Sequence, residues 1–178
     1  MKKIFTVIVA ALVAVAANAQ FYAGGRVGCQ TGDNGHIKVA PEAGYNFNDE
    51  FAVGAAVDFY SQKDAYSTLG INPYVRWTFA EWAPLRLFLD GSFEFQSVSV
   101  DKNRNQGESK TYSLMQLGIK PGISCPINEN LSVVAHLGFV GFTAVDDDIR
   151  WLMAGEYEDG FTASFSGNYL GLSLYYSF

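Results

Sequence analysis

Eight stretches of this chain alternate apolar and polar residues with a period of two, and every charged residue within them falls on the polar side. Period two is the repeat of an extended strand, whose successive side chains point to opposite faces. At the end of the chain Leu170, Leu172, Leu174, Tyr176 and Phe178 alternate with Tyr169, Gly171, Ser173, Tyr175 and Ser177. Leu131, Val133, Ala135, Leu137 and Phe139 form another apolar face, and six more run over 21–27, 39–47, 51–59, 69–79, 85–95 and 115–123. Opposite these faces stand Arg26, Lys38, Glu42, Asp58, Arg76, Arg86, Asp90, Glu94, Lys120 and His136. A Lys or Arg facing lipid near the bilayer centre costs about 2–4 kcal/mol, so a strand that meets hydrocarbon sheds charge from that side. A water-soluble barrel has no such reason. The pattern therefore predicts an all-β fold, an eight-stranded antiparallel up-and-down transmembrane β-barrel with its uncharged face turned to lipid.

The connections support this reading, because short ones (48–50, 80–84, 126–130) alternate with longer ones (30–37, 61–67, 100–109, 145–167). Short turns on one side and long loops on the other are the habit of membrane barrels. Aromatic residues gather near the strand ends, with Phe21, Tyr45, Phe47, Phe51, Trp77, Phe79, Trp82, Tyr176 and Phe178 toward the short turns. Phe59, Tyr60, Phe93, Phe95 and Phe139 gather toward the long loops, and the two groups are expected to form interfacial girdles. Eight strands leave an interior that side chains fill, so the enclosed ions have to pair. A first hairpin symmetric about residue 34 sets Arg26 opposite Glu42, and one centred near 105 sets Asp90 opposite Lys120. Asp58 and Glu94 then look to Arg76 and Arg86.

The first nineteen residues read separately. Lys2 and Lys3 precede an apolar run, 4–17, that closes on Ala17-Asn18-Ala19, the layout of a secretory signal peptide. Its removal leaves 159 of 178 residues, 20–178, as one barrel domain, and takes the formal charge from −6 to −8. No basic cluster remains to neutralise phosphates, which excludes nucleic acid as an expected partner. Cys29 and Cys125 fall at opposite ends of the barrel, too far apart for a disulfide, and are expected free. His36 and His136 are likewise apart and Asp146-Asp147-Asp148 lacks the spaced ligands of a calcium loop, so neither metal nor cofactor is expected. Lipid-remodelling enzymes of this architecture need a Ser, a His and a carboxylate at one end. His136 has Ser124 and Ser132 within reach but no carboxylate expected at its depth.

The terminal strand Leu170, Leu172, Leu174, Tyr176, Phe178 resembles the signal by which the outer-membrane assembly machinery recognises its clients. With the whole span 20–178, the chain resembles the outer-membrane β-barrel family common in Bacteroidetes, and more distantly the OmpX and OmpA transmembrane barrels. The resemblance implies residence in the bacterial outer membrane among its lipids, periplasmic chaperones, the barrel-assembly machinery, and both termini facing the periplasm. It implies no substrate, and the cell-wall-binding domain of the full OmpA pattern is not carried over. The function expected is that of a non-enzymatic scaffold, with the 145–167 loop as the candidate surface for a ligand. A narrow channel for small solutes or ions, and more remotely a lipid-remodelling enzyme, are the competing readings.

Overall fold

In a computed structural model of the chain, the residues described are 20–30, 36–62, 66–100, 110–149, 159–165 and 171–178. The signal segment 1–19 and Leu170 therefore lie outside the described residues. Each alternating stretch is a strand: β1 (Phe21–Gln30), β2 (His36–Asn46), β3 (Phe51–Gln62), β4 (Tyr66–Trp82), β5 (Leu85–Val100) and β6 (Lys110–Pro126). They are followed by β7 (Leu131–His136), β8 (Phe139–Val145), β9 (Gly160–Ser164) and β10 (Gly171–Ser177). Neighbours pair antiparallel in chain order from β1 to β6, β7 and β8 occupy successive halves of the next position, and β9 and β10 those of the last. Tyr22↔Ser177 to Val27↔Leu172 join β10 back to β1. The result is a closed antiparallel barrel of eight wall strands, as the alternation predicts.

Two of the short turns are built alike. Asn48 Oδ1 accepts the backbone N–H groups of Glu50 (2.9 Å) and Phe51 (2.7 Å), and Asn128 Oδ1 accepts those of Asn130 (2.9 Å) and Leu131 (2.8 Å). An Asn side chain thus imitates a backbone carbonyl and folds the chain back within four residues. The first and last strands meet beside these turns, where Phe178 N–H donates to Phe21 O at 3.0 Å.

The wall faces divide as the charge pattern requires. Val27, Ile71, Val75, Leu117, Leu172 and Leu174 are exposed on the outside, whereas Arg26, Glu42, Asp58, Arg76, Asp90, Glu94 and Lys120 are buried within. Below them the outer aromatic residues touch in a belt, Phe21 against Tyr45 (4.7 Å between centroids), Tyr45 against Phe47 (5.3 Å), Trp77 against Phe79 (5.8 Å) and Tyr176 against Phe178 (5.2 Å).

Two expectations are corrected, the first being the membership of the outer aromatic girdle. Gly122 faces His136, but Ile119 faces Val140, so β7–β8 spends one residue more than β6 over the same span. That bulge at Leu137-Gly138 reverses the facing of everything beyond it. Phe139 consequently points inward and is fully buried, not part of an outer girdle, and its ring occupies the recess left by Gly118 and Gly141, which face each other across the ladder. A Cβ on either glycine would come within 2.8 Å of that ring. Tyr60, also expected in the girdle, takes an inner-face position between the outward-exposed Phe59 and Ser61. The second correction concerns the 145–167 loop. Residues 160–164 belong to the wall, where Phe161 lies outward against Phe142 at 5.4 Å. With Phe165 also exposed, these aromatics prolong the outer face of that hairpin, while Trp151 and Tyr157 lie outside the described residues.

Candidate functional site: the charged lumen

Among the described residues, chemistry-bearing side chains converge in the barrel interior, and each reaches it from an inner-face position of its strand. Nearest the short turns, Arg76 on β4 and Asp90 on β5 are directly opposed in the ladder. The guanidinium grips the carboxylate with both arms, Nε to Oδ1 at 2.7 Å and Nη2 to Oδ2 at 2.8 Å. Planar fork-to-fork contacts of this kind are among the strongest ion pairs available to side chains. Arg76 also lies 3.9 Å over the Phe88 ring, and His136 Nε2 stands 2.9 Å from Asp90 Oδ2.

Glu42 on β2 gathers the next group. Its Oε2 accepts Arg26 Nη2 at 3.3 Å, and its Oε1 accepts the hydroxyls of Tyr74 and Tyr175 at 2.5 Å each. Tyr22 stacks on Tyr175 at 5.1 Å and shares a 2.6 Å hydrogen bond with Tyr74. The rings fit because Gly44 and Gly54, paired across β2 and β3, leave the wall bare under Tyr22 and Tyr74. Toward the long loops Glu94 accepts Lys120 Nζ at 2.7 Å, Asn72 Nδ2 at 2.9 Å and Gln96 Nε2. Lys38 Nζ lies between Asp58 (3.3 Å) and Glu94 (3.9 Å). Beyond these ions Val98 on β5, Leu114 on β6 and Val145 on β8 are buried apolar residues of the inner face.

Among the described residues the lumen thus holds four cations (Arg26, Lys38, Arg76, Lys120) and four anions (Glu42, Asp58, Asp90, Glu94), each with an opposite charge within 4 Å. Arg26 and Glu42 are brought together as expected, though through a different register. The hairpin centres on 33, so Arg26 faces Ala40 and reaches Glu42 diagonally. Asp90 and Lys120 do face each other, yet they do not pair. Arg76 stands on the other flank of Asp90 with the better-matched donor fork, leaving the longer Lys120 to reach Glu94. Asp58 takes Lys38 in place of Arg76 or Arg86. Arg86 leaves the network: a bulge between Thr78 and Ala80 sets Glu81 opposite it, and the two pair at 3.0 Å on the half-exposed rim.

The expectation that His136 lacks a carboxylate at its depth is overturned by Asp90. Both are 2% exposed, and Ser124 and Ser132 line the mouth instead. That mouth is a polar vestibule of about 290 Å³ at the short-turn end, rimmed by Asn46, Asp49 and Arg86 and floored by Arg76 and Tyr175. Tyr22, Tyr74, Tyr175, Asn72 and Gln96 were not expected as partners, although all five occupy inner-face positions where their polar tips had to find one. Cys125 is a free thiol.

Compared with solved structures, the chain is similar to Neisserial surface protein A at 12% identity, with 90% of this chain and 98% of that one covered and a TM-score of 0.58. It is similar also to the N-terminal β-barrel domain of Pseudomonas aeruginosa OprF, at 15% identity, with 89% and 98% covered and a TM-score of 0.56. The fold is that of the eight-stranded outer-membrane β-barrels. No family model and no curated protein matches the sequence.

Proposed function

We propose that this chain is an integral protein of the bacterial outer membrane whose barrel is a closed, non-enzymatic scaffold and whose long loops make its contacts. The observation that carries the reading is the interior: among the described residues, four cations and four anions are matched at close range. Ions so placed are held by one another and by the tyrosines, and a solute has no hydrated path past them. The Asp90–His136 pair is enclosed, which withholds it from an acyl substrate. Outer-membrane lipids cover the wall, and the strand Leu172, Leu174, Tyr176, Phe178, outward-facing through Tyr176, is the segment we assign to recognition by the assembly machinery after chaperoned passage across the periplasm. The same strand supports kinship with the Bacteroidetes barrel family. Within the 145–167 candidate, 150–158 lies between β8 and β9 in sequence and outside the described residues, and it is the segment we assign to surface contact.

Purified protein in planar bilayers tests the scaffold against the narrow channel. It is expected to give no steady openings. Openings of the unaltered protein that change with Arg76→Ala or Asp90→Ala would establish the channel and end the scaffold reading.

A further inference from the structure

Five buried polar atoms of the lumen have no hydrogen-bond partner among the described residues; two are the oxygens of Asp58, beside the Lys38 ammonium, and the other three lie on three adjoining strands: Arg26 Nε on β1, Ser173 Oγ on β10 and His136 Nδ1 on β7. Arg26 is paired with Ser173 across one ladder, and His136 with Gly171 across the next. Gly171 is the hinge of the arrangement. The Arg26 side chain lies across it, such that a Cβ at 171 would come within 2.6 Å of Arg26 Cδ and 3.5 Å of Nε. With no side chain at 171, only bare backbone lies between the Arg26 side chain and the ladder position of His136.

The chemistry of these atoms fixes what fits between them. Asp90 receives both arms of Arg76, so it is a carboxylate and only accepts. His136 Nε2, 2.9 Å from Asp90 Oδ2, must therefore carry a proton, and in the neutral imidazole that leaves a lone pair on Nδ1. Arg26 Nε–H only donates, and the Ser173 hydroxyl does either. A bridging species has to accept from Arg26 and donate to His136, a task an anion fails at His136 and a cation at Arg26.

We propose that a single internal water molecule occupies this position, bonded to Arg26 Nε, His136 Nδ1 and Ser173 Oγ. Three bonds to otherwise unsatisfied groups is the usual complement of a buried water. It closes a ring in which every donor meets an acceptor. Arg76 donates to Asp90, His136 donates to Asp90 and accepts from the water, and the water accepts from Arg26. Arg26 then donates to Glu42, Glu42 accepts Tyr175, and Tyr175 oxygen accepts Arg76 Nη2 at 3.4 Å. The ring ties β1, β2, β4, β5, β7 and β10 together across the lumen, and it stands whether or not the barrel conducts.

A crystal structure of the mature protein at a resolution that shows ordered solvent tests this. One oxygen peak is expected within hydrogen-bond distance of both Arg26 Nε and His136 Nδ1. No peak, direct contact of His136 Nδ1 with Ser173 Oγ, or a peak replaced by an anomalous scatterer after bromide exchange would each overturn it. Nitrogen-15 spectra of the His136 ring in detergent micelles provide a second readout. The proton is expected on Nε2, with cross-relaxation from the ring to water, and a proton on Nδ1 would refute the site.

Discussion

At the scale of single residues, the lumen ions are worth most as members of pairs. Removing one partner of a buried pair strands the other and typically costs about 3–5 kcal/mol, whereas replacing both by apolar groups of similar volume is often neutral. Arg76→Met is accordingly expected to lower the unfolding free energy in urea by about that amount, and adding Asp90→Leu to recover most of it. A double variant as unstable as the single one would show that the Phe88 and Tyr175 contacts of Arg76 matter more than its charge. The outer face obeys the opposite rule. Leu117→Arg, on an exposed wall position, should cost about 2–4 kcal/mol in lipid if that wall meets hydrocarbon. The membership of the buried charged set was largely legible from the period-two rule; the partners were not. Lys120 and Asp90 face each other and still bond elsewhere, because Arg76 and Glu94 also lie within reach.

At the scale of elements, the turns and bulges decide register. Each Asn of the two like turns satisfies two backbone N–H groups, and a net hydrogen bond is worth about 1 kcal/mol. Asn48→Ala or Asn128→Ala should thus lower stability by about 1–2 kcal/mol, read from the urea midpoint of the refolded barrel. The bulge at Leu137-Gly138 makes a sharper forecast. Continued alternation through it would put Phe139 outside and Phe142 inside, the reverse of what the fold shows. A spin label on Ala144→Cys, in a background of Cys29→Ser and Cys125→Ser, should collide with lipid-dissolved oxygen and be shielded from a water-soluble nickel chelate. The opposite accessibility would place Ala144 inside and remove the bulge. No residue near 137 announced this shift except Gly138, which a strand also tolerates for other reasons.

At the scale of the whole molecule, closure joins the first strand to the last and makes the interior one connected network. A barrel held this way should resist detergent without heat and run on gels at a different mobility before and after boiling. Deleting 150–158 should leave that behaviour intact, since β8 and β9 remain paired beneath the loop. Loss of the folded band would mean that this loop, too, is structural. The amino-acid order alone determined that the chain forms strands, how many wall positions they fill, and which face carries ions, because a two-residue period and the cost of charge in hydrocarbon act on each strand locally. Only the tertiary structure decided which ion meets which, where Phe139 and Arg86 point, and that Asp90 sits beside His136. Those outcomes depend on one-residue register shifts and on side chains reaching between strands, neither of which leaves a mark on the local pattern.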